Sequence, residues 1–178
     1  MSATLYRFKL AVSDVDRAYY DTLEVRVAMH PSESEVALLT RVLAYALNYE
    51  VGLEFSPGLS TPDEAAIRLP GANGKMSKWI DIGNPSPRRI HKASKASERV
   101  CIYTYKDPEN LKREAQGERI HRAELIQVFA IRPSFLQSLA LQLKRDNSWA
   151  IVHNEGELIV SIGGESLMTT IDRHSFDA

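Results

Sequence analysis

A chain of 178 residues, 44% hydrophobic and 25% charged, is long enough for one globular domain with a real core, and one domain spanning 1–178 is expected. The formal net charge of −1 excludes a global electrostatic coat for nucleic acid or a membrane surface, so any phosphate recognition must be local. Cys101 is the single cysteine and permits no internal disulfide, and no run of about 18 apolar residues could span a bilayer; a soluble, cytoplasmic protein is expected.

Tyr6, Phe8, Leu10 and Val12 alternate with Arg7, Lys9 and Ala11, the period of a strand with one buried face. Leu23, Val25 and Val27 repeat the pattern, and SDVDRAYYD between them supplies turn residues, so the two predict a hairpin. His30, Pro31 and Ser32 then open a helix that runs to about Asn48. Ser32 with Glu35 fits a capping box, in which hydroxyl and carboxylate each satisfy an orphaned backbone N–H. Val36, Leu39, Leu43 and Leu47 form its apolar face. Glu33 lies on the stripe that continues through Val36, Thr40, Leu43 and Leu47, which points it inward at the helix mouth, where the macrodipole favours an anion; the competing reading is an ordinary first-turn acid.

After a short apolar piece from Val51 to Phe55 and the loop SPGLSTPDE, a second hairpin is predicted, with arms near Ala65–Leu69 and Met76–Gly83. A turn centred near Ala72 pairs Asp81 with Asp63; a centre between Ala72 and Asn73 pairs it with Glu64. Either register opposes two acids whose Cβ atoms lie about 5 Å apart, a repulsion that a bound cation would remove, as would a frayed strand end that leaves Asp63 and Glu64 in the loop. Ser86 and Pro87 are the N-cap and first residue of a helix on which Arg88, Lys92 and Lys95 share a face. Between Lys75 and Arg99, seven basic residues face two acidic ones, a local excess suited to phosphate. Val100–Tyr105 reads as a central strand, Asp107 and Pro108 begin a polar helix, and Ala123–Ile131 is strand-like. Pro133–Lys144 reads as a helix and Trp149–Ile162 as a hairpin about Asn154, Glu155 and Gly156. The order from Ser32 to Tyr105 is helix, two or three strands, helix, strand, which predicts an α/β fold with a mixed sheet flanked by helices.

The five histidines are scattered without zinc-ligand spacing, no G-x-S-x-G or P-loop motif occurs, and Cys101 lies inside an apolar strand. What remains is an oxygen-rich set: Glu33, Asp63 or Glu64, and Asp81, with Lys92 nearby and Arg88, Arg89 and Lys95 as phosphate contacts. Carboxylates select a hard cation such as Mg²⁺ or Mn²⁺. Such an ion polarises a phosphoryl oxygen and activates water, while a lysine stabilises charge growing on phosphorus, as phosphodiester hydrolysis requires.

These residues also carry a resemblance. HPSE at His30–Glu33, GLS followed by DE within Gly58–Glu64, WIDIG at Trp79–Gly83 and RRIHKA at Arg88–Ala93 make the chain resemble the YaeQ family of bacterial proteins. That family is similar in fold to the PD-(D/E)XK endonuclease superfamily, whose core is helix, three strands, helix, strand. The resemblance implies a restriction-endonuclease-like core with extra N-terminal and C-terminal hairpins. It places Glu33 as the acid of the first core helix, Asp63 as the motif aspartate beside Pro62, and Asp81 as the acid that follows; Glu64, from the second hairpin register, is the further metal ligand expected. Two residues after Asp81 the pattern has lysine and this chain has Gly83, which makes Lys92 the substitute. The implied function is a metal-dependent nuclease acting on DNA or RNA. The alternative, favoured by Gly83, is a binding or protein-interaction domain that keeps the fold without turnover.

Overall fold

The N-terminal alternation becomes a long antiparallel hairpin, β1 (Thr4–Asp14) and β2 (Tyr19–Met29). They are followed by α1 (Glu35–Asn48), β3 (Glu54–Phe55), β4 (Ile67–Pro70), β5 (Met76–Ile82), α2 (Pro87–Ala96) and β6 (Ser97–Thr104). The remainder is α3 (Pro108–Ala115), β7 (Gln127–Ala130), α4 (Pro133–Ala140), β8 (Asp146–Asn154), β9 (Glu157–Ile162), β10 (Glu165–Thr170) and β11 (Asp172–Ser175). This computed structural model describes residues 3–56 and 64–176. The architecture is mixed α/β, with two mixed sheets flanked by helices, and the chain divides into two compact units.

The first unit comprises the residues up to Asn48 together with Ile131–Asp172. Its five-stranded sheet has the order β10-β9-β8-β1-β2, with β1 parallel to β8 and the other pairs antiparallel. The expected terminal hairpins therefore join in one sheet. Phe8, Leu10 and Val12 of β1, Leu23, Val25 and Val27 of β2, and Trp149 and Ile151 of β8 are buried, while Arg7 and Lys9 on the other face are exposed. Each such side chain contributes roughly 1.5–3 kcal/mol by leaving water. Phe8 and Trp149 meet edge to face at 5.2 Å. Helices α1 and α4 pack against one another and onto this sheet.

Two helical expectations are corrected here. The N-cap of α1 is Ser34, whose Oγ accepts from the Ala37 N–H at 3.1 Å; Ser32 instead meets the His30 ring at 2.7 Å. A hydroxyl caps only the turn it immediately precedes, and Ser32 stands two residues too early, in a turn closed by the Glu33 N–H on the His30 carbonyl at 2.8 Å. Helix α4 ends at Ala140, short of Lys144, leaving Leu141 exposed.

The second unit holds Tyr49–Ala130 and the segment from Arg173. Its sheet order is β11-β7-β6-β5-β4-β3, with β5, β6 and β7 parallel and β3 and β4 antiparallel additions. Trp79, Ile80 and Asp81 of β5 and Val100–Thr104 of β6 are buried in succession, as befits strands covered on both faces. Ile90 and Ala93 of α2 and Leu111 of α3 pack with Trp79, Ile102 and Val128 in one cluster. Strand β7 begins at Gln127, after a 3₁₀ turn at Ala123–Leu125, later than the pattern predicts.

The β4–β5 register also differs from both expected alternatives. Ile67 pairs with Ile80 and Leu69 with Lys78, so continuing the ladder sets Ala66, neither Asp63 nor Glu64, opposite Asp81. A bulge at Leu69/Pro70 and a 3₁₀ turn at Ala72–Gly74 displace the turn centre. Gly71 locks that turn: a Cβ there would come within 2.6 Å of the Lys75 carbonyl oxygen. No helix among the described residues is long and apolar enough to cross a membrane.

Candidate functional site

Alternation along β5 puts Asp81 on the same face as Trp79, under α2. Ser86 starts that helix by accepting from the Arg89 N–H at 3.2 Å, and the Arg89 side chain then folds inward. Arg89 Nε donates to Asp81 Oδ2 at 2.8 Å and Nη2 to Oδ1 at 2.9 Å, a two-point fork on a carboxylate that is 3% exposed. The guanidinium carbon lies 5.8 Å from the centre of the Trp79 ring, and Nη2 also donates to the Glu64 carbonyl oxygen at 2.6 Å. The positive partner that the sequence requires for Asp81 is thus an arginine of the next helix. A metal ion would have to displace it.

Glu33 points inward as predicted, from the turn before α1, and is likewise claimed by an arginine. Arg41 Nε meets Oε2 at 3.1 Å and Nη2 meets Oε1 at 2.9 Å, with both side chains 5% exposed. Arg41 Nη2 further donates to the Ala28 carbonyl at 2.9 Å, and Glu33 Oε1 accepts from the His30 N–H at 3.3 Å. Glu33 belongs to the first unit and Asp81 to the second. Asp63 and Pro62 lie outside the described residues. Glu64 is half-buried, and its backbone carbonyl is the group that engages Arg89.

Gly83 has φ +87° and donates its N–H to the Tyr103 carbonyl at 2.8 Å. The Tyr105 ring stands at ordinary contact distance from where a Cβ would lie, so backbone conformation rather than space excludes lysine there. Arg88, Lys92 and Lys95 are exposed on α2. Cys101 is buried, its Sγ 3.6 Å from Gln127 Oε1, and burial raises its thiol pKa despite Lys78, Arg99 and Arg173, which keeps it protonated and inert.

A third group went unnoticed in the sequence. Asp14, Asp16 and His153 in the first unit offer donor atoms within 4.8 Å of one another, an arrangement that could hold a metal ion. His153 Nδ1 lies 3.0 Å from Asp14 Oδ1 and 3.7 Å from Asp16 Oδ2. Arg17 Nε donates to Asp14 Oδ2 at 2.8 Å and its Nη2 donates to the Ala46 carbonyl at 3.2 Å, near the negative end of α1. The signal was available: Asp14 continues the inward series Phe8, Leu10, Val12, and His153 continues Trp149 and Ile151. Pairing of β1 with β8, which brings them together, is separated by 139 residues and has no local signature.

Comparison with known proteins gives one consistent result. The family model described as YaeQ protein matches residues 1–171. A crystal structure of YaeQ protein from Xanthomonas axonopodis pv. citri superposes with a TM-score of 0.90 at 28% identity, covering 98% of this chain and 99% of that one. One from Pseudomonas syringae gives 0.85 at 27% identity, covering 96% and 95%. The Escherichia coli (strain K12) protein described as uncharacterized protein YaeQ is 32% identical over 105 residues. That match spans 59% of this chain and 58% of the relative, less than two thirds of its length.

Proposed function

The chain belongs to the YaeQ family, and on that footing we propose that it is a non-catalytic phosphate-backbone-binding domain with a nuclease-like core. The family match runs unbroken through both compact units, which supports treating them as halves of one domain. The order α1, β3, β4, β5, α2, β6 agrees with the helix, three strands, helix, strand of the endonuclease core and supports that kinship.

One observation carries the reading: the way α2 divides its cations. Arg89 turns inward and saturates both oxygens of Asp81, while Arg88, Lys92 and Lys95 remain exposed along one face. The inward cation neutralises the acid that would hold Mg²⁺ or Mn²⁺; the outward three attract phosphate. Among the described residues, no group of three donors includes Asp81, and Asp63 lies outside them, so what supports the reading is the arginine that occupies Asp81. Exposed lysines and arginines bind a nucleic-acid backbone by releasing its condensed counterions, which makes affinity fall steeply with salt.

The nuclease reading retains one observation in its favour, the position of Asp81 at the end of β5 beside a cationic helix, and it requires Arg89 to leave. Fluorescence anisotropy with labelled single- and double-stranded DNA and RNA, in chelator, tests the binding reading. Measurable, salt-sensitive affinity that falls in Arg88→Ala/Lys92→Ala/Lys95→Ala, with a salt slope lower by about 2–3, supports it. Equal affinity in wild type and variant contradicts it, and absence of binding to every nucleic acid leaves a protein partner as the occupant of this face.

A further inference from the structure

We propose that Asp14, Asp16 and His153 form a binding site for one divalent transition-metal ion of the Zn²⁺ class, at the rim where the β1–β2 and β8–β9 turns meet. This site lies within the first unit and does not depend on the reading of α2.

The donor geometry is the ground for it. Two ligands of one ion at about 2.0–2.1 Å are separated by about 2.9–3.4 Å in tetrahedral or octahedral coordination. His153 Nδ1 stands 3.0 Å from Asp14 Oδ1 and 3.7 Å from Asp16 Oδ2, and one donor atom from each of the three residues lies within 4.8 Å of the others, so a modest closing of the two partly exposed side chains brings three donors around one centre. At 3.7 Å the His153–Asp16 contact is an ion pair at most and too long for a hydrogen bond, which leaves both atoms able to turn toward a shared ion.

Both aspartates are held from behind through the oxygen that does not face the histidine. The Glu155 N–H donates to Asp16 Oδ1 at 2.9 Å and leaves Oδ2 directed at the histidine. Arg17 takes Asp14 Oδ2 and leaves Oδ1. Parallel pairing sets Asp14 beside His153, and the Val15 N–H donates to the His153 carbonyl at 2.8 Å, so the two turns move together. Asp14 is buried, whereas the side chains of His153 and Asp16 are 18% and 38% exposed, which leaves one side open for water to complete the shell. With a neutral imidazole, two aspartates and Arg17 leave one net negative charge to attract a cation. On binding, the ion exchanges bound waters for the three side chains; a neutral ring moves its proton from Nδ1 to Nε2, and an imidazolium releases its Nδ1 proton to solvent. One nitrogen and two oxygens suit a borderline ion better than Mg²⁺, which prefers oxygen alone.

Titration calorimetry with Zn²⁺, and visible absorption with Co²⁺, test the site on the full chain. The expected result is one equivalent bound, with affinity at least about tenfold lower in His153→Gln and in the half-exposed Asp16→Asn, and unchanged in His91→Gln/His121→Gln. Titrating Zn²⁺ should also shift the His153 ring signals in NMR spectra. Absence of binding to the wild type would overturn the proposal. So would retention of full affinity in both site variants, or loss of binding in the His91/His121 variant.

Discussion

Asp14 illustrates how a buried carboxylate stays ionised. Burial pushes its pKa up, but the hydrogen bonds from Arg17 and His153, together with their charges, outweigh it and hold the group below its ordinary 3.8. A depressed folded-state pKa adds stability above the unfolded value and loses it as pH falls through the folded one. Wild type should therefore lose stability more steeply than Asp14→Asn between about pH 4 and pH 2, as read from urea unfolding. Parallel curves would contradict the account. Glu33 makes a different test, because its role in the structure is to neutralise Arg41. Glu33→Ala should cost about 3–5 kcal/mol in urea denaturation by stranding a buried guanidinium, and Glu33→Ala/Arg41→Met should recover a large part of it. A loss under about 1 kcal/mol would mean that the pair does not hold the turn before α1.

At the scale of elements, local chemistry and long-range pairing differ in how well the sequence announces them. The hairpin of β1 and β2 was legible because two alternating runs flank a polar turn, and Ser86 with Pro87 announced α2 because a hydroxyl and a fixed φ act within one turn. The cap of α1 was not, because Ser32 and Ser34 both precede apolar residues, and only the turn from His30 to Glu33 decides between them. Ser34→Ala should destabilise by about 1 kcal/mol, and Ser32→Ala by clearly less; the reverse order in thermal or urea unfolding would restore the earlier cap. The β4–β5 register failed for a related reason. A bulge and a 3₁₀ turn add length that hydrophobic alternation does not record, so the acid expected opposite Asp81 gives way to Ala66. The inward placement of Glu33 and Asp81 was readable from periodicity, but the identity of their partners was not. Arg41 and Arg89 each lie eight residues further along the chain, a separation that carries no pairing signature until the turn between is folded.

Across the whole molecule, the proposed non-catalytic role rests on two inward ion pairs, Glu33 with Arg41 and Asp81 with Arg89, and on the cations that α2 turns outward. The net charge of −1 hides the local excess between Lys75 and Arg99, where seven basic residues face two acidic ones. Positive φ at Gly83 supports the same role, since the backbone there suits glycine and the motif lysine would be strained. The most direct measurement is cleavage of labelled DNA and RNA by wild type and Asp81→Asn with Mg²⁺ or Mn²⁺, alongside binding in chelator. The account predicts salt-sensitive binding without metal and no cleavage by either protein. Metal-dependent cleavage by the wild type that disappears in Asp81→Asn would contradict it.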